Sequence, residues 1–364
     1  EIQMLRPRDI EKIEYHDAPS GKYAKDKLVV NFITKQYRYG GYVQADGLQT
    51  IGYDHGDYNV ATNYVKGNNS YTVFAGANYS HVDGTETWNN ENYQFPQSLF
   101  DRESYSRNSY RNHQEYMQFR YQNQKGKRYW VGKFTLVNLS TPRNASSGFA
   151  KESTETDVFS NIRKKSLSPK IDLNANLPLS KNQTLTLGVH GKYSANSYHR
   201  LYQEQPFEAM TDEDEKVLSF QLSAIYNYFS QKHSLSVELF HYHDVWNADY
   251  SGNCELWQHL WKGESLAFFS YNFQASRRLS LKTRIGLDWL QYHLHGDNSF
   301  SQLSPRINTN VQYQLNKGML LWSFNFVNSN HGMDVINRAM IQVNSHMMEK
   351  GMPELKKSHD INTY

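Results

Sequence analysis

Ser180-Lys181-Asn182-Gln183, followed by Thr184-Leu185-Thr186-Leu187-Gly188-Val189-His190-Gly191-Lys192-Tyr193, decides the fold. Successive side chains of a β-strand point to opposite faces. Leu185, Leu187, Val189, Gly191 and Tyr193 therefore share one face, and Thr184, Thr186, Gly188, His190 and Lys192 share the other. Before the turn, Ile171, Leu173, Ala175 and Leu177 oppose Lys170, Asp172, Asn174 and Asn176. The stretch reads as a hairpin with one apolar and one polar face.

The alternation recurs. Leu218, Phe220, Leu222, Ala224, Tyr226 and Tyr228 share a face, as do Trp130, Phe134 and Leu136. Leu281, Thr283, Ile285, Leu287 and Trp289 oppose Lys282, Arg284, Gly286 and Asp288. Ile307, Thr309, Val311, Tyr313 and Leu315 oppose Asn308, Asn310, Gln312 and Gln314, and Leu320, Trp322, Phe324 and Phe326 continue the pattern. Turning Lys282 or Arg284 toward mid-bilayer costs ~2–4 kcal/mol each. The apolar face is thus expected to meet lipid and the polar face a lumen. A one-residue slip inverts every assignment, so register is strongly set.

Six short polar turns punctuate these strands, near 67–70, 124–127, 180–183, 230–233, 274–278 and 315–318. Long polar stretches, read as seven loops, alternate with them. Short turns at one end and long loops at the other are the cadence of a membrane-crossing barrel. The spacing predicts about fourteen strands, near 39–46, 57–66, 70–82, 109–123, 128–139, 159–178, 184–196, 216–229, 234–247, 264–273, 279–292, 304–315 and 319–328, with one starting at 357. Several exceed the ~9–11 residues a bilayer crossing needs and are expected to project beyond it on the long-loop side. Aromatics near strand ends (Tyr64 and Tyr71, Tyr226 and Tyr228, Tyr313 and Trp322) predict interfacial girdles.

Composition excludes other classes. Mean hydropathy is −0.78, and no run approaches the ~20 apolar residues of a helical span. A net charge of +3 is too small to imply nucleic acid. The single Cys254 excludes an intrachain disulfide framework. No nucleophile elbow, phosphate loop or HExxH motif is present, so neither an enzyme nor a cofactor is expected.

Residues 1–36 depart from the cadence. They contain Asp9-Ile10-Glu11-Lys12-Ile13-Glu14, Pro19-Ser20-Gly21-Lys22-Tyr23 and Val29-Val30-Asn31-Phe32-Ile33-Thr34-Lys35. This resembles the end of the plug domain of TonB-dependent outer-membrane receptors: a DIE-x-IE strand, a PS-x-x-Y turn and a V-x-N-x-ITK strand. Lys27-Leu28 stands where most relatives place a Gly before that strand. At the other end, Lys350 to Asn362 resembles a GNP-x-LKPE-x-S-x-N lead-in to a mid-barrel strand, with Met352 in place of the usual Asn. The compact plug ending is closer to the smaller barrel branch than to the large glycan importers. The resemblance implies plug end over 1–36 and barrel over 37–364, within a whole of about 22 strands. It further implies an outer-membrane location, lipid contact, a TonB complex reached through an N-terminal part outside this chain, and import of a scarce solute such as a glycan or siderophore. An accessory surface lipoprotein is an open partner, and the chain is expected to be a fragment.

Candidate residues follow. Trp88, Trp246, Trp257 and Trp261 fall in or near the expected long loops, where they can stack on a ligand at the outer mouth or pack the loops. Arg120, Lys170, Lys192, Lys282, Arg284 and Asp288 face the expected lumen, where they can hold a plug or bind solute, and are assigned to plug contact. His241, His243, His293 and His295 have metal-ligand spacing, but parity from Leu239 and Trp289 turns them outward, so no metal site is assigned. Asp212 to Glu215 lacks the Gly-turned loop of a calcium site. A non-transporting outer-membrane barrel and a soluble aromatic-rich carbohydrate-binding β-protein remain as alternatives.

Overall fold

The computed structural model describes residues 10–16, 29–35, 39–95, 98–276, 278–297, 299–329, 335–352 and 358–363. Eighteen strands and no helix occur among them. Strands β1 (Ile10–His16) and β2 (Val29–Thr34) pair with each other as a separate antiparallel sheet. The PS-x-x-Y turn, residues 36–38 at the expected domain boundary, and residues 353–357 of the second motif lie outside the described residues.

One fourteen-stranded antiparallel sheet holds the rest, with neighbours in chain order. Its members are β3 (Tyr39–Thr50), β4 (Asp54–Lys66), β5 (Asn69–Phe95), β6 (Ser98–Lys125), β7 (Arg128–Lys151), β8 (Glu155–Ser180) and β9 (Gln183–Glu204). They continue with β10 (Phe207–Phe229), β11 (His233–Gly252), β12 (Leu256–Gln274), β13 (Leu279–Leu294), β14 (Phe300–Leu315), β15 (Gly318–Ser329) and β18 (Ser358–Thr363). β3 and β18 form its two edges, so the sheet is not closed. Between β15 and β18, β16 (Met340–Gln342) and β17 (Met348–Lys350) pair as a small hairpin.

Burial is inside out, as the parity argument requires. Register aligns Trp130, Ala175, Leu187, Ala224, Leu239, Ala267 and Leu287 in one row across seven strands. Leu187, Leu239 and Leu287 in that row are exposed, and so are Leu173, Val189, Leu222, Ile285, Trp289, Leu320 and Trp322 on the same face. The opposite face carries the buried polar groups, among them Glu238, Glu264, Asp288 and Ser304. A contiguous apolar surface of this extent is not a feature of soluble monomers; it is the lipid-facing wall of a transmembrane β-barrel.

The height of the wall matches a bilayer. Outward apolar residues run from Leu167 to Leu177 on β8, Leu185 to Ala195 on β9 and Leu218 to Tyr228 on β10. Each band is about eleven residues, the length a tilted strand needs to cross. Beyond it, toward the far tips, the same face turns polar with Lys165, Arg163, Ser197, His199, Lys216 and Asp214. At the near end, Tyr39, Tyr64, Tyr71 and Tyr121 form a row of rings 5.2 to 6.4 Å apart, one arc of the expected girdle.

The short turns lie where the sequence places them, at 67–68, 126–127, 181–182, 230–232 and 316–317, and the sixth falls between β12, ending at Gln274, and β13, beginning at Leu279. Gly67 and Gly126 open two of them at φ near +60°, a conformation that a two-residue hairpin turn demands and glycine adopts without a Cβ clash. The expected long loops are corrected. Six of the seven are taken up by continuations of the strands, with brief connections at 51–53, 152–154, 205–206 and 253–255, β5 reaching Phe95 before β6 begins at Ser98, and β13 reaching Leu294 before β14 begins at Phe300. On extensions such as Asp212 to Lys216 both faces carry polar side chains, so the apolar–polar alternation that marks a strand disappears and the ribbon reads as loop. The long connection that remains is the one between β15 and β18.

Candidate functional site

The site is built from the inner wall and the segment 335–352, which turns back onto that wall. Ile336 and Ala339 are buried against Trp246, Ala248, Tyr250, Leu260, Leu290, Tyr292 and Leu294. Even-numbered positions of β11, β12 and β13 face inward, and these residues lie on the strand extensions above the apolar band. The largest apolar core among the described residues thus sits at the mouth, not at bilayer level. Polar ties complete the docking. Arg200 donates to the carbonyls of Gln342 and Val343. Ser345 donates to Glu204 at 2.9 Å, His346 meets Glu152 at 2.8 Å, and Arg338 meets Asp297 at 2.5 Å. These anchors run from the β7–β8 tip to the β13–β14 tip, so the sheet curls around the segment.

A buried charge cluster supports this arrangement. Arg102 reaches Glu204 at 2.8 Å and Glu152 at 3.0 Å, and donates to the Tyr202 hydroxyl at 3.2 Å. Burial pushes the Glu204 carboxyl up, but hydrogen bonds from Arg102, Tyr202 and Ser345 outweigh it and hold the group below the ordinary carboxylate range. Burial and the neighbouring Glu204 push the Tyr202 hydroxyl up to about 12. At the β13–β14 tip the hydrogen bond from Arg338 holds Asp297 low as well. Glu213 behaves oppositely: burial raises it despite the hydrogen bond from Tyr250.

All six charged residues assigned to the lumen face lie on the inner face. Arg284 pairs with Glu238 at 2.7 Å and lies 3.5 Å over the Phe268 ring. Asp288, fully buried, pairs with Arg306 at 2.5 Å, and Glu264 lies 3.8 Å from the same guanidinium. Lys170 and Lys192 stand directly opposite each other across β8 and β9. Neither they nor Lys282 has an ion pair among the described residues; Arg120 donates to Gln122 at 2.9 Å. Sequence reasoning missed Glu238 and Arg306, the partners of Arg284 and Asp288; their even parity on β11 and β14 is the signal that places them inward.

The four tryptophans do not converge. Trp88 is exposed on β5, its ring tilted against Tyr105 with centroids 4.6 Å apart. Trp257 is exposed between His259 and His295, and Trp261 lies edge-on to His243 at 5.4 Å on the outer face. Trp246, in the expected strand 234–247 near its loop end, lies within β11, 1% exposed, and its indole N–H donates to Glu215. Its even parity with Glu238 and Phe240 turns it inward.

No family model matches the chain, and no curated protein matches it. Solved structures do. A copper transporter, OprC, aligns at TM-score 0.34 and 8% identity over 89% of this chain and 69% of its own. The TodX monoaromatic hydrocarbon channel, as a deltaS2 mutant, aligns at 0.31 and 11% over 89% and 86%. The ferric citrate transporter FecA in unliganded form aligns at 0.30 and 8% over 82% and 67%. The chain is similar to these barrels in outline only; the inside-out burial defines its class.

Proposed function

We propose that this chain is the plug end and much of the barrel of an outer-membrane transporter that imports a scarce solute with energy from TonB. The observation that carries the reading is the pairing of a bilayer-high apolar outer face with a charged, hydrogen-bonded inner face. Such a wall has no use for polar groups inside unless water, a plug or a solute meets them. Lys170, Lys192 and Lys282, which have no carboxylate in reach among the described residues, are the wall's contacts for the rest of a plug. The β1–β2 pair, carrying the DIE-x-IE and V-x-N-x-ITK motifs, is the plug's last element. The segment 335–352 covers the outer mouth where solute enters. Trp88 and Trp257, exposed on the extensions, are first-contact surfaces for it.

Uptake measured in cells with and without TonB tests the reading. Loss of uptake without TonB supports it, and unchanged uptake removes active transport and leaves a surface-binding or assembly barrel. The soluble carbohydrate-binding reading is disfavoured by the exposed apolar band.

A further inference from the structure

Between segment 335–352 and the inner wall of β6 to β10 lies a cavity of about 670 Å³, within the size range of small-molecule sites. It sits on the strand extensions, above the apolar band. Register sets a row across its floor: Lys164 opposes Tyr198, and Tyr198 opposes Glu213. The Lys164 ammonium lies 5.3 Å from the Tyr198 ring centroid. A cation, an aromatic surface and a carboxylate thus follow one another over three adjacent strands. Two strand spacings put the Lys164 and Glu213 backbones about 10 Å apart.

The charges are pinned apart. Glu213 accepts from the Tyr250 hydroxyl at 2.9 Å, and Glu215 accepts from Trp246 and Asn196. Arg200, on the cationic side, is spent on the two carbonyls of the segment. Glu349 adds a carboxylate from the roof. None of these groups forms an ion pair with another within 4.0 Å among the described residues, although all line one cavity. Charges of both signs that line one cavity without pairing are complementary to a ligand carrying both an anionic and a cationic end.

We propose that the cavity binds a short peptide of about three residues, its carboxylate toward Lys164 and its ammonium toward Glu213 and Glu349. An extended residue spans about 3.3–3.6 Å, so three cover the distance between the two ends. Tyr198 supplies the surface between them, and the identity of the side chains is left open by the row. This names the solute class for the transporter reading above and rests on it.

The test uses the full-length protein in detergent and calorimetric titration with tri-alanine, N-acetyl-tri-alanine and tri-alanine amide. Tri-alanine is expected to bind, and capping either end is expected to weaken binding at least tenfold. Glu213→Gln removes the penalty for capping the amine and keeps the penalty for capping the carboxylate; Lys164→Gln does the converse. Glu349→Gln, at an exposed roof position, repeats the amine result in milder form should Glu213→Gln fail to fold. Equal binding of free and capped peptides, or no binding of tri-alanine, overturns the proposal. Insertion of the same preparation into lipid vesicles separates the two readings. Protein that inserts but ignores peptide refutes the peptide site alone, and protein that does not insert refutes the barrel reading with it.

Discussion

Arg102 of β6 meets Glu204 of β9 at 2.8 Å, across the two strands that separate them in the sheet, with both side chains almost fully buried. The pair sits under Ser345 and beside His346, so one contact ties the curl of the wall to the docking of the segment. Removing one partner of a buried pair leaves an uncompensated charge and costs ~3–5 kcal/mol. Arg102→Met is therefore expected to lower the unfolding midpoint clearly and to expose residues 335–352 to protease. A variant with unchanged melting and unchanged digestion contradicts the role given to the pair.

The two carboxylates that tie the segment at opposite ends set an acid limit. Glu204 and Asp297 are both held below the ordinary range in the folded protein. A carboxyl with a depressed folded pKa contributes stability above its unfolded value, near 4.3 for Glu and 3.9 for Asp, and loses it as pH falls through the folded value. Docking of 335–352 is expected to hold at neutral pH and to weaken as pH drops below about 4. Protease sensitivity of the segment followed from pH 7 downward checks this; release that begins above pH 5 contradicts the assignment to Glu204 and Asp297.

Trp246 and Trp257 separate packing from surface. Replacing a fully packed aromatic by Ala costs ~3–5 kcal/mol. Trp246→Ala is expected to destabilise by that order and to loosen the segment. Trp257→Ala, at an exposed position, is expected to change stability by less than about 0.5 kcal/mol. Urea unfolding of the protein in vesicles, followed by gel mobility, distinguishes them; equal effects contradict the placement of Trp246 inside.

These two residues also show what the sequence discloses. Strands with one wet face and one lipid face are legible, because Leu185 to Tyr193 and Leu281 to Trp289 alternate, with only Gly191 and Thr283 interrupting the apolar face. The short turns are legible because polar runs such as Gly67-Asn68-Asn69-Ser70 and Ser180-Lys181-Asn182-Gln183 interrupt that alternation. The extensions are not: Lys216 and Glu215, or Asp214 and Glu213, are polar on both faces, and a two-sided polar strand has no period to read. Trp246 was reachable by carrying the parity of Phe240 three steps further. The docking of 335–352 was not, since Ile336 meets Trp246 and Leu290 through a return of the chain that no local pattern encodes. The pairing of Arg284 with Glu238, 46 residues away, is set by register across two strand junctions. Parity puts each on the inner face, but only the structure pairs them.

The two faces of β9 and β10 predict opposite responses to charge. Leu187→Arg or Leu222→Arg, within the apolar band, is expected to cost ~2–4 kcal/mol of folding into a bilayer. Thr186→Lys and Gln221→Lys, one residue away and facing inward, are expected to fold nearly as the parent does. Folding yield into vesicles reports the difference, and equal losses on both faces contradict the assignment of inside and outside.

The central claim is that one face of this sheet lies in lipid, and spin-label accessibility measures it most directly. Single cysteines at Leu187, Leu222, Ile285 and Leu320, and at Thr186, Gln221, Arg284 and Ser323, are labelled in a variant lacking Cys254 and reconstituted in vesicles. The first four labels are expected to relax with membrane-dissolved oxygen and not with a water-soluble nickel chelate, while the second four are shielded from lipid. Labels at both sets responding alike to the chelate would contradict it.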